Sequence, residues 1–339
     1  MASMAEPMRR VVAAPDKFRG TASAAEIAAA IVAAVDSASP PWTGQAVPMA
    51  DGGEGTLDAL GGPNRESEVT GPLATKVRAP WRLRGAAAFI EMARASGLEL
   101  AGGAEGNDPM AASTAGVGEL IVEAVEHGAR RIMVTLGGSA TTDGGLGAIQ
   151  AIGNVARLRG VELIVACDVS TRFVDAARVF GPQKGASPAQ VKLLTGRLSR
   201  LVQVYEERFG VDVSELPGGG AAGGLAGALA ALGARLAPGF DVVAEEVGLD
   251  EALEGASLVV TGEGYLDDQS LEGKVVGGVL ERAARLGVEA LVICGDADSD
   301  VVARLGSPVV SLVERFGTDA AFARTADCVQ EAMRRFLAG

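Results

Sequence analysis

Short apolar runs rich in β-branched residues recur along the chain, and each of them ends in a cluster of glycine and polar residues. The runs with this character are Val11–Ala14, Gln45–Met49, Arg131–Leu136, Leu163–Ala166, Ser257–Val260 and Leu291–Ile293. An uninterrupted apolar run of this length is typical of a strand that is buried on both faces. The pattern therefore predicts buried strands whose carboxyl ends carry the polar residues.

Alanine-rich segments with helical periodicity lie between several of these runs. They are Thr21–Val35, Ala115–Glu126 and Val275–Leu286, and in the first of them Ser23 and Glu26 have the spacing of a capping box. Alternating strands and helices predict an α/β fold with mostly parallel sheets. Ligands of such folds bind beyond the carboxyl ends of the strands, so the glycine-rich strand ends are the candidate site.

The composition narrows the range of functions. The 339 residues suggest about two domains. The net charge of −13 disfavours non-specific binding to nucleic acid, and an aromatic content of 4% gives few platforms for base stacking. The glycine clusters after the apolar runs fit loops that bind phosphate, and they also fit plain turns.

Cysteine and histidine usage argues against disulfide, zinc and histidine chemistry. The three cysteines are far apart and have no CxxC spacing, which indicates a reducing compartment, and His127 is the only histidine. We expect a cytoplasmic protein, since Met1–Arg10 has no apolar signal region. No membrane span is expected either, because the uncharged segment Pro217–Ala234 is predicted to be a glycine-rich loop that leads into a buried helix.

The common nucleotide-binding signatures are missing. The chain has no GxxxxGK[ST] motif, and the GxGxxG match at Gly218–Gly223 does not follow a strand. A P-loop kinase and a Rossmann-type dinucleotide site are therefore disfavoured, although a loop that faces a phosphate or adenine group stays open.

Two loops combine many backbone amides with carboxylates. The segment Asp51–Thr56 places two acids among three glycines, so it can hold Mg²⁺ through one carboxylate while its amides face phosphate oxygens. The segment Gly137–Gly145 offers phosphate-binding amides and hydroxyl groups, with Asp143 as a candidate magnesium ligand. Its candidate phosphate-binding residues are Gly137, Gly138, Ser139 and Thr141.

The candidate cations lie in three other loops. A kinase needs positive charge at the transferred phosphoryl group, and Lys184 in the loop Gly181–Ala186 is the first candidate for that role. Lys17 and Arg19 follow the first strand and would suit a small carboxylate substrate. The last loop supplies Gly262 and Lys274 for phosphate and Glu263 for Mg²⁺.

Taken in order, seven motifs of this chain resemble those of the class I glycerate kinases. The motifs are Pro15–Gly20, Asp51–Thr56, Glu91–Leu98, Gly137–Gly145, Cys167–Val169, Phe180–Ala186 and Thr261–Lys274, which resemble the family's PDxFKG, DGGEGT, EMAxASGL, GGSATNDGG, CDV, FGPQKGA and TGEGxLDxQxxxGK patterns. Taken alone, Glu91 in the third motif fits a functional acid and a solvated residue on a helix face equally well. Seven ordered motifs are far more specific than any one of them.

The resemblance implies both a fold and an activity. It implies a flavodoxin-like α/β domain built from both chain ends, with bounds of 1–70 and 255–339, and an inserted second α/β domain at 71–254. It also implies ATP, Mg²⁺ and D-glycerate, with 2-phosphoglycerate as the expected product and 3-phosphoglycerate as the alternative. A homodimer is left open.

The chain departs from the family pattern at several positions. Lys17 and Arg19 replace a small hydroxyl residue and a lysine, Thr142 replaces an asparagine and Tyr265 replaces an arginine. The segment between Gly153 and Leu163 is shorter by some tens of residues, and the usual NPL element after Asp168 is absent.

The resulting hypothesis is an in-line transfer from Mg-ATP to the hydroxyl of a small hydroxy acid. Asp51 or Asp168 would orient or deprotonate the hydroxyl, Lys184 would neutralise the developing charge, and Lys17 and Arg19 would bind the carboxylate. Two alternatives stay open: a kinase for another short hydroxy acid, such as a four-carbon aldonate, and a non-catalytic relative that binds a sugar acid or nucleotide.

Overall fold

A computed structural model describes residues 9–38, 42–271 and 273–339. Its strands are β1 (Arg9–Ala13), β2 (Trp42–Ala46), β3 (Arg65–Thr70), β4 (Lys76–Arg84), β5 (Ala87–Glu91), β6 (Arg131–Thr135), β7 (Glu162–Ala166), β8 (Arg235–Ala237), β9 (Leu258–Thr261), β10 (Tyr265–Leu266), β11 (Glu289–Cys294), β12 (Asp296–Ala297) and β13 (Val309–Ser311).

Helices connect most of these strands. They are α1 (Ala24–Asp36), α2 (Thr56–Ala59), α3 (Ala93–Ser96), α4 (Gly103–Gly106), α5 (Ala115–Glu126), α6 (Leu146–Ile152), α7 (Ala176–Phe180), α8 (Pro188–Phe209), α9 (Ala221–Ala231), α10 (Gly239–Val247), α11 (Leu249–Leu253), α12 (Asp268–Leu271), α13 (Val275–Leu286), α14 (Ser299–Arg304), α15 (Leu312–Phe316), α16 (Thr318–Ala323) and α17 (Thr325–Ala338). Short 3₁₀ helices lie at Glu99–Ala101, Val155–Leu158, Phe173–Asp175 and Pro182–Lys184.

The predicted α/β class is confirmed: helices cover mixed and parallel sheets. The capping box at the start of α1 is present as expected, because Ser23 and Glu26 each bond the other's backbone. The helices predicted over Ala115–Glu126 and Val275–Leu286 have those bounds. Among the described residues, no helix combines the length and the apolar character that crossing a membrane requires.

The chain forms two compact units. Unit 1 contains Met1–Asp51, Asp58–Leu60 and Phe240–Gly339, and unit 2 contains Gly52–Leu57 and Gly61–Gly239. These bounds differ from the expected 1–70, 71–254 and 255–339. Strand β3 pairs with β4 in the sheet of unit 2, while Phe240 and Leu253 pack into a core cluster of unit 1.

Unit 1 is built around a five-stranded parallel sheet with the order β13-β11-β9-β1-β2. Val11 and Ala13 of β1 pack on one face with α1 and α17, whereas Val12 packs on the other face with α10, α11 and α13. Successive side chains of a strand point to opposite faces, so a strand covered on both sides must be apolar throughout. This explains the uninterrupted apolar run at the start of the chain.

Unit 2 contains a six-stranded sheet with the order β3-β4-β5-β6-β7-β8. The pairs β3–β4 and β4–β5 are antiparallel, and the pairs from β5 to β8 are parallel. Helices α5, α6 and α9 pack in the main core with residues of β5, β6 and β7. The carboxyl ends of β5, β6 and β7, three of the four parallel strands, therefore lie side by side, and each is followed by a polar or glycine-rich segment.

Candidate active site

A group of charged residues lies at the carboxyl ends of the central strands of unit 1. We call it the β1–β9 cluster; its members are Asp16, Lys17, Asp51, Glu263 and Lys274. Strands β1 and β9 are parallel neighbours, and beyond them the amide of Asp16 donates to the carbonyl of Gly262 over 2.8 Å. The topology thus brings together residues that are about 250 positions apart in the sequence.

Two carboxyl groups of the β1–β9 cluster have raised pKa values. Burial raises the pKa of Asp16 to about 6, with a smaller contribution from the charge of Asp51 and opposition from Lys17. Burial also raises the pKa of Glu263 to about 7, and the charge of Asp16 adds to the effect. Desolvation disfavours the charged form of both acids, so the cluster favours a bound cation.

The buried oxygen Oε1 of Glu263 has no hydrogen-bond partner among the described residues. A buried acceptor without a partner is uncommon and calls for an explanation such as a bound ion. In the part of the chain that the structure describes, no group of three or more histidine, cysteine, aspartate or glutamate side chains is arranged to hold a metal. Mg²⁺ commonly uses only one or two carboxylates and completes its shell with phosphate and water, so Glu263 and Asp16 fit this ion.

The remaining predicted residues of unit 1 lie around this cluster. Arg19 is exposed, and its backbone packs beside Gly264, directly after Glu263. Tyr265 is 52% exposed, and its hydroxyl donates to Asp298 over 2.6 Å. The tyrosine that departs from the family pattern is therefore hydrogen-bonded to an acid that follows β12.

Unit 2 contains a cavity of about 380 Å³. The glycine-rich turn after β6, the end of the Pro182–Lys184 helix and the start of α9 surround it. The lining residues are Leu98, Leu136, Gly137, Gly138, Ser139, Val169, Phe180, Gln183, Lys184, Ala221 and Ala222. The cavity combines an apolar wall with backbone amides, the polar residues Ser139 and Gln183 and one ammonium group, a combination that suits a nucleotide.

Lys184 is 3% exposed, and its ammonium group donates to the carbonyl oxygen of Thr141 over 2.6 Å. Burial lowers its pKa to about 8, against the opposing charge of Asp143. The hydroxyl of Thr141 lies 3.0 Å from that of Ser139. The structure thus brings the predicted lysine beside the hydroxyl-bearing loop and buries it, two features that the sequence did not predict.

The carbonyl of Thr141 is fitted closely against the start of α9. Ala222, Gly223 and Gly224 all have left-handed backbone angles, and a Cβ on Gly223 would lie 1.9 Å from that carbonyl oxygen. Only glycine is compatible with this approach. Thr142, next along the loop, is buried, and its hydroxyl has no partner among the described residues.

Asp143 has a different environment from the one predicted for a magnesium ligand. Its carboxylate accepts four hydrogen bonds, from the amides of Gly145 and Gly147 and from both the amide and the hydroxyl of Thr114. These donors occupy both oxygens, so Asp143 holds the loop in place. These hydrogen bonds argue against a role for Asp143 as a magnesium ligand.

Asp168 lies beyond the end of β7 and is exposed. Its Oδ1 accepts a 2.6 Å hydrogen bond from the amide of Gly239, the first residue of α10. The first amides of a helix have no intrahelical partner, so this carboxylate caps α10. One of its two oxygens is thus already engaged.

Two relevant acids were not selected from the sequence. Asp16 follows a buried strand directly, and the same strand-end argument that selected Asp51 could have found it. Glu91 is 3% exposed and ends β5, where its carboxylate accepts from the amide of Leu57 over 2.7 Å. The solvated helix face that the sequence left open for Glu91 is wrong, and no local signal distinguishes such a buried acid.

The comparisons with known proteins agree with one another. A family model described as "Glycerate kinase family" matches residues 11–156 and 154–338. The chain is 40% identical to glycerate 2-kinase of Escherichia coli (strain K12), covering 92% of this chain and 90% of that protein. It is 38% identical to glycerate kinase of Bacillus subtilis (strain 168), covering 86% of each. The crystal structure of a protein assigned as glycerate kinase 2 in Salmonella typhimurium LT2 superposes with a TM-score of 0.85 at 35% identity, covering 97% of both chains.

Proposed function

The chain belongs to the glycerate kinase family, and from that premise we propose that it transfers the γ-phosphoryl group of ATP to a hydroxyl group of D-glycerate. It is a phosphotransferase that acts on an alcohol group. The observation that carries the mechanism is the buried Lys184 ammonium in a cavity that is also lined by Ser139, Gln183 and the backbone of a glycine-rich turn.

The cavity of unit 2 is the proposed nucleotide site. Its apolar wall, which includes Leu98, Leu136 and Phe180, suits an adenine ring, and the Gly137–Ser139 turn presents amides to phosphate oxygens. Lys184 supplies positive charge where the phosphoryl group develops negative charge in the transition state. Thr141 fixes the position of that ammonium group through its carbonyl oxygen.

The β1–β9 cluster is the proposed site of cation and acceptor binding. Glu263 and Asp16 would hold Mg²⁺, which supplies charge neutralisation to the phosphates when it is bound. Lys274, at the N-terminal cap of α13, would contact phosphate together with the backbone of Gly262. Lys17 and Arg19 would bind the carboxylate of the substrate.

Asp51 is the proposed base that orients or deprotonates the attacking hydroxyl. It belongs to the β1–β9 cluster, where its charge acts on Asp16. Asp168 is the second candidate, and its Oδ1 accepts from the amide of Gly239. The oxygen of the deprotonated hydroxyl attacks phosphorus as the bond to the β-phosphate oxygen breaks, which gives phosphoglycerate and ADP.

The finer assignments are proposals as well. The name of the Escherichia coli relative supports 2-phosphoglycerate as the product. A flavodoxin-like fold for unit 1 is supported by its sheet: when its five strands are renumbered along the chain, their order is 2-1-3-4-5. Three free cysteines fit a reducing cytoplasm. The homodimer stays a prediction.

The test is an assay of ADP release with Mg-ATP and a panel of D-glycerate, L-glycerate and four-carbon sugar acids. We expect turnover with D-glycerate, and phosphorus–proton coupling in ³¹P NMR spectra to identify O2 as the modified position. Turnover with a four-carbon acid alone would identify another hydroxy-acid kinase. Ligand binding by folded protein without any turnover would identify a non-catalytic relative.

A further inference from the structure

The segment Gly52–Leu57 lies across the ends of three neighbouring strands of unit 2. At β5, the amide of Leu57 donates to Glu91. Beyond β6, a Cβ on Gly137 would lie 3.2 Å from both the amide nitrogen of Glu54 and the Cα of Gly53. At β7, a Cβ on Gly52 would lie 3.1 Å from the side chain of Ala166. The segment therefore has one hydrogen-bonded and two closely packed contacts with this edge of the sheet.

Glu91 is the one charged side chain among these three contacts. Its Oε1 accepts from Leu57 over 2.7 Å and its Oε2 accepts from Nε of Arg94 over 2.9 Å. Leu57 lies in the first turn of α2, where a backbone amide has no intrahelical acceptor. A buried carboxylate is stable only with such partners, so Glu91 and Leu57 define each other's positions.

The contact with Gly137 connects this segment to the proposed nucleotide site. Gly137 leaves little room for a side chain against Gly53 and Glu54, and it also lines the cavity together with Gly138. The next residue of the turn is fixed on another side, because the carbonyl of Gly138 accepts from the amide of Leu98 over 2.7 Å. If the Gly52–Leu57 segment moved, the Gly137–Ser139 turn would therefore lose the backbone that packs against one of its sides.

We propose that Glu91 is a positioning residue which, through the Gly52–Leu57 segment, holds the Gly137–Ser139 turn in the geometry that binds nucleotide phosphate. Glu91 does not line the cavity and acts only through the backbone that it anchors. The proposal rests on the proposed function to the extent that the cavity of unit 2 accepts a nucleotide.

A purely structural role for Glu91 makes a different prediction, and the chain offers a matched control. Glu119 also anchors backbone in unit 2: it accepts from the amide of Thr70 over 2.8 Å and from its hydroxyl over 2.7 Å, with Lys76 at 3.9 Å. Glu119 does not line the cavity. Loss of its carboxylate should lower stability and leave nucleotide binding unchanged.

The experiment measures the dissociation constant of a non-hydrolysable ATP analogue with Mg²⁺ by calorimetry, and the melting temperature of each variant. We expect Glu91→Ala to weaken binding about tenfold, the size of a lost charge-assisted hydrogen bond. Glu91→Gln should restore binding to near the wild-type value, because its amide oxygen still accepts from Leu57. Glu119→Ala should lower the melting temperature with an unchanged dissociation constant.

A second variant covers the case in which Glu91→Ala does not fold. Glu91→Asp keeps the charge and shortens the reach, so we expect a folded protein with several-fold weaker binding. Unchanged nucleotide binding in the folded Glu91 variants, or an equal loss of binding in Glu119→Ala, would overturn the positioning role of Glu91. Neither result would affect the nucleotide assignment of the cavity. A wild-type chain without affinity for the analogue would instead refute the nucleotide assignment of the cavity, and this proposal with it.

Discussion

The ammonium nitrogen of Lys184 lies 2.6 Å from the carbonyl oxygen of Thr141, although the two residues are 43 positions apart. Both groups are buried, and the contact joins the loop after β6 to the Pro182–Lys184 helix. A lysine has three N–H donors, so one bond to a carbonyl directs the side chain and leaves donors for a phosphate group. The contact explains how the ammonium group of Lys184 is held in place at the cavity.

Replacement of this lysine should remove most of the activity. We expect Lys184→Met to lower kcat by about 10²–10³-fold, the usual cost of losing one group that stabilises transition-state charge. The matched control is Lys192→Met on the exposed face of α8, which should retain wild-type rates. Steady-state kinetics with Mg-ATP and D-glycerate provide the measurement, and a loss below about threefold would contradict the role of Lys184.

The pH dependence of the reaction should have an alkaline limb from the same residue. The pKa of Lys184 is lowered to about 8, so its charge is present below that pH and is lost as the pH rises through it. Because kcat/KM for ATP reports the free enzyme, it should fall above about pH 8. Lys184→Arg should abolish this limb in its residual activity, since arginine stays charged. A wild-type profile that is flat to about pH 9.5 would disprove the assignment.

The identity of the base can be tested with two isosteric variants. Asp51→Asn should lower kcat by about 10²–10⁴-fold, the usual contribution of general base catalysis. Asp168→Asn should have a small effect on kcat, because an amide oxygen can still accept from Gly239 and cap α10. The opposite pattern in the measured rates would assign the base to Asp168.

Loss of the Glu263 carboxylate should weaken cation binding. We expect Glu263→Gln to raise the dissociation constant of Mn²⁺, measured by electron paramagnetic resonance as a substitute for Mg²⁺, by about tenfold or more. Glu281→Gln on the exposed side of α13 is the control and should bind Mn²⁺ as the wild type does. Equal affinities in the two variants would exclude Glu263 as a ligand.

Asp143 should contribute to stability through its four hydrogen bonds. Asp143→Ala leaves the amides of Thr114, Gly145 and Gly147 and the hydroxyl of Thr114 without their acceptor. We expect the free energy of unfolding to fall by about 3–5 kcal/mol, measured by urea denaturation. Asp212→Ala at an exposed loop should cause a smaller loss. A fully stable Asp143→Ala protein that fails to bind Mn²⁺ would restore the metal role.

The local pattern of the sequence determined the fold class and much of the secondary structure. Helices α5 and α13 have the predicted bounds because their apolar periodicity is regular. Strand β2 begins at Trp42, earlier than expected. The sequence did not indicate this start, because the residues of β2 are exposed or half-buried and form no apolar run. Strand β3 was not predicted for the same reason, because most of Arg65–Thr70 is polar. Its extended conformation is set by pairing with β4.

The sequence also singled out candidate loops for chemistry, because glycine and carboxylate residues at the ends of buried strands are a local signal. Only the tertiary structure decided which hydrogen-bond partners each acid has. The carboxylate of Glu91 accepts from an amide 34 positions away, and that of Asp168 accepts from one 71 positions away. The carboxylate of Asp143 accepts from a residue 29 positions away. A carboxylate that accepts from backbone amides and one that is left with a buried, unpartnered oxygen look identical in the sequence, because their partners are set by how distant segments fold together.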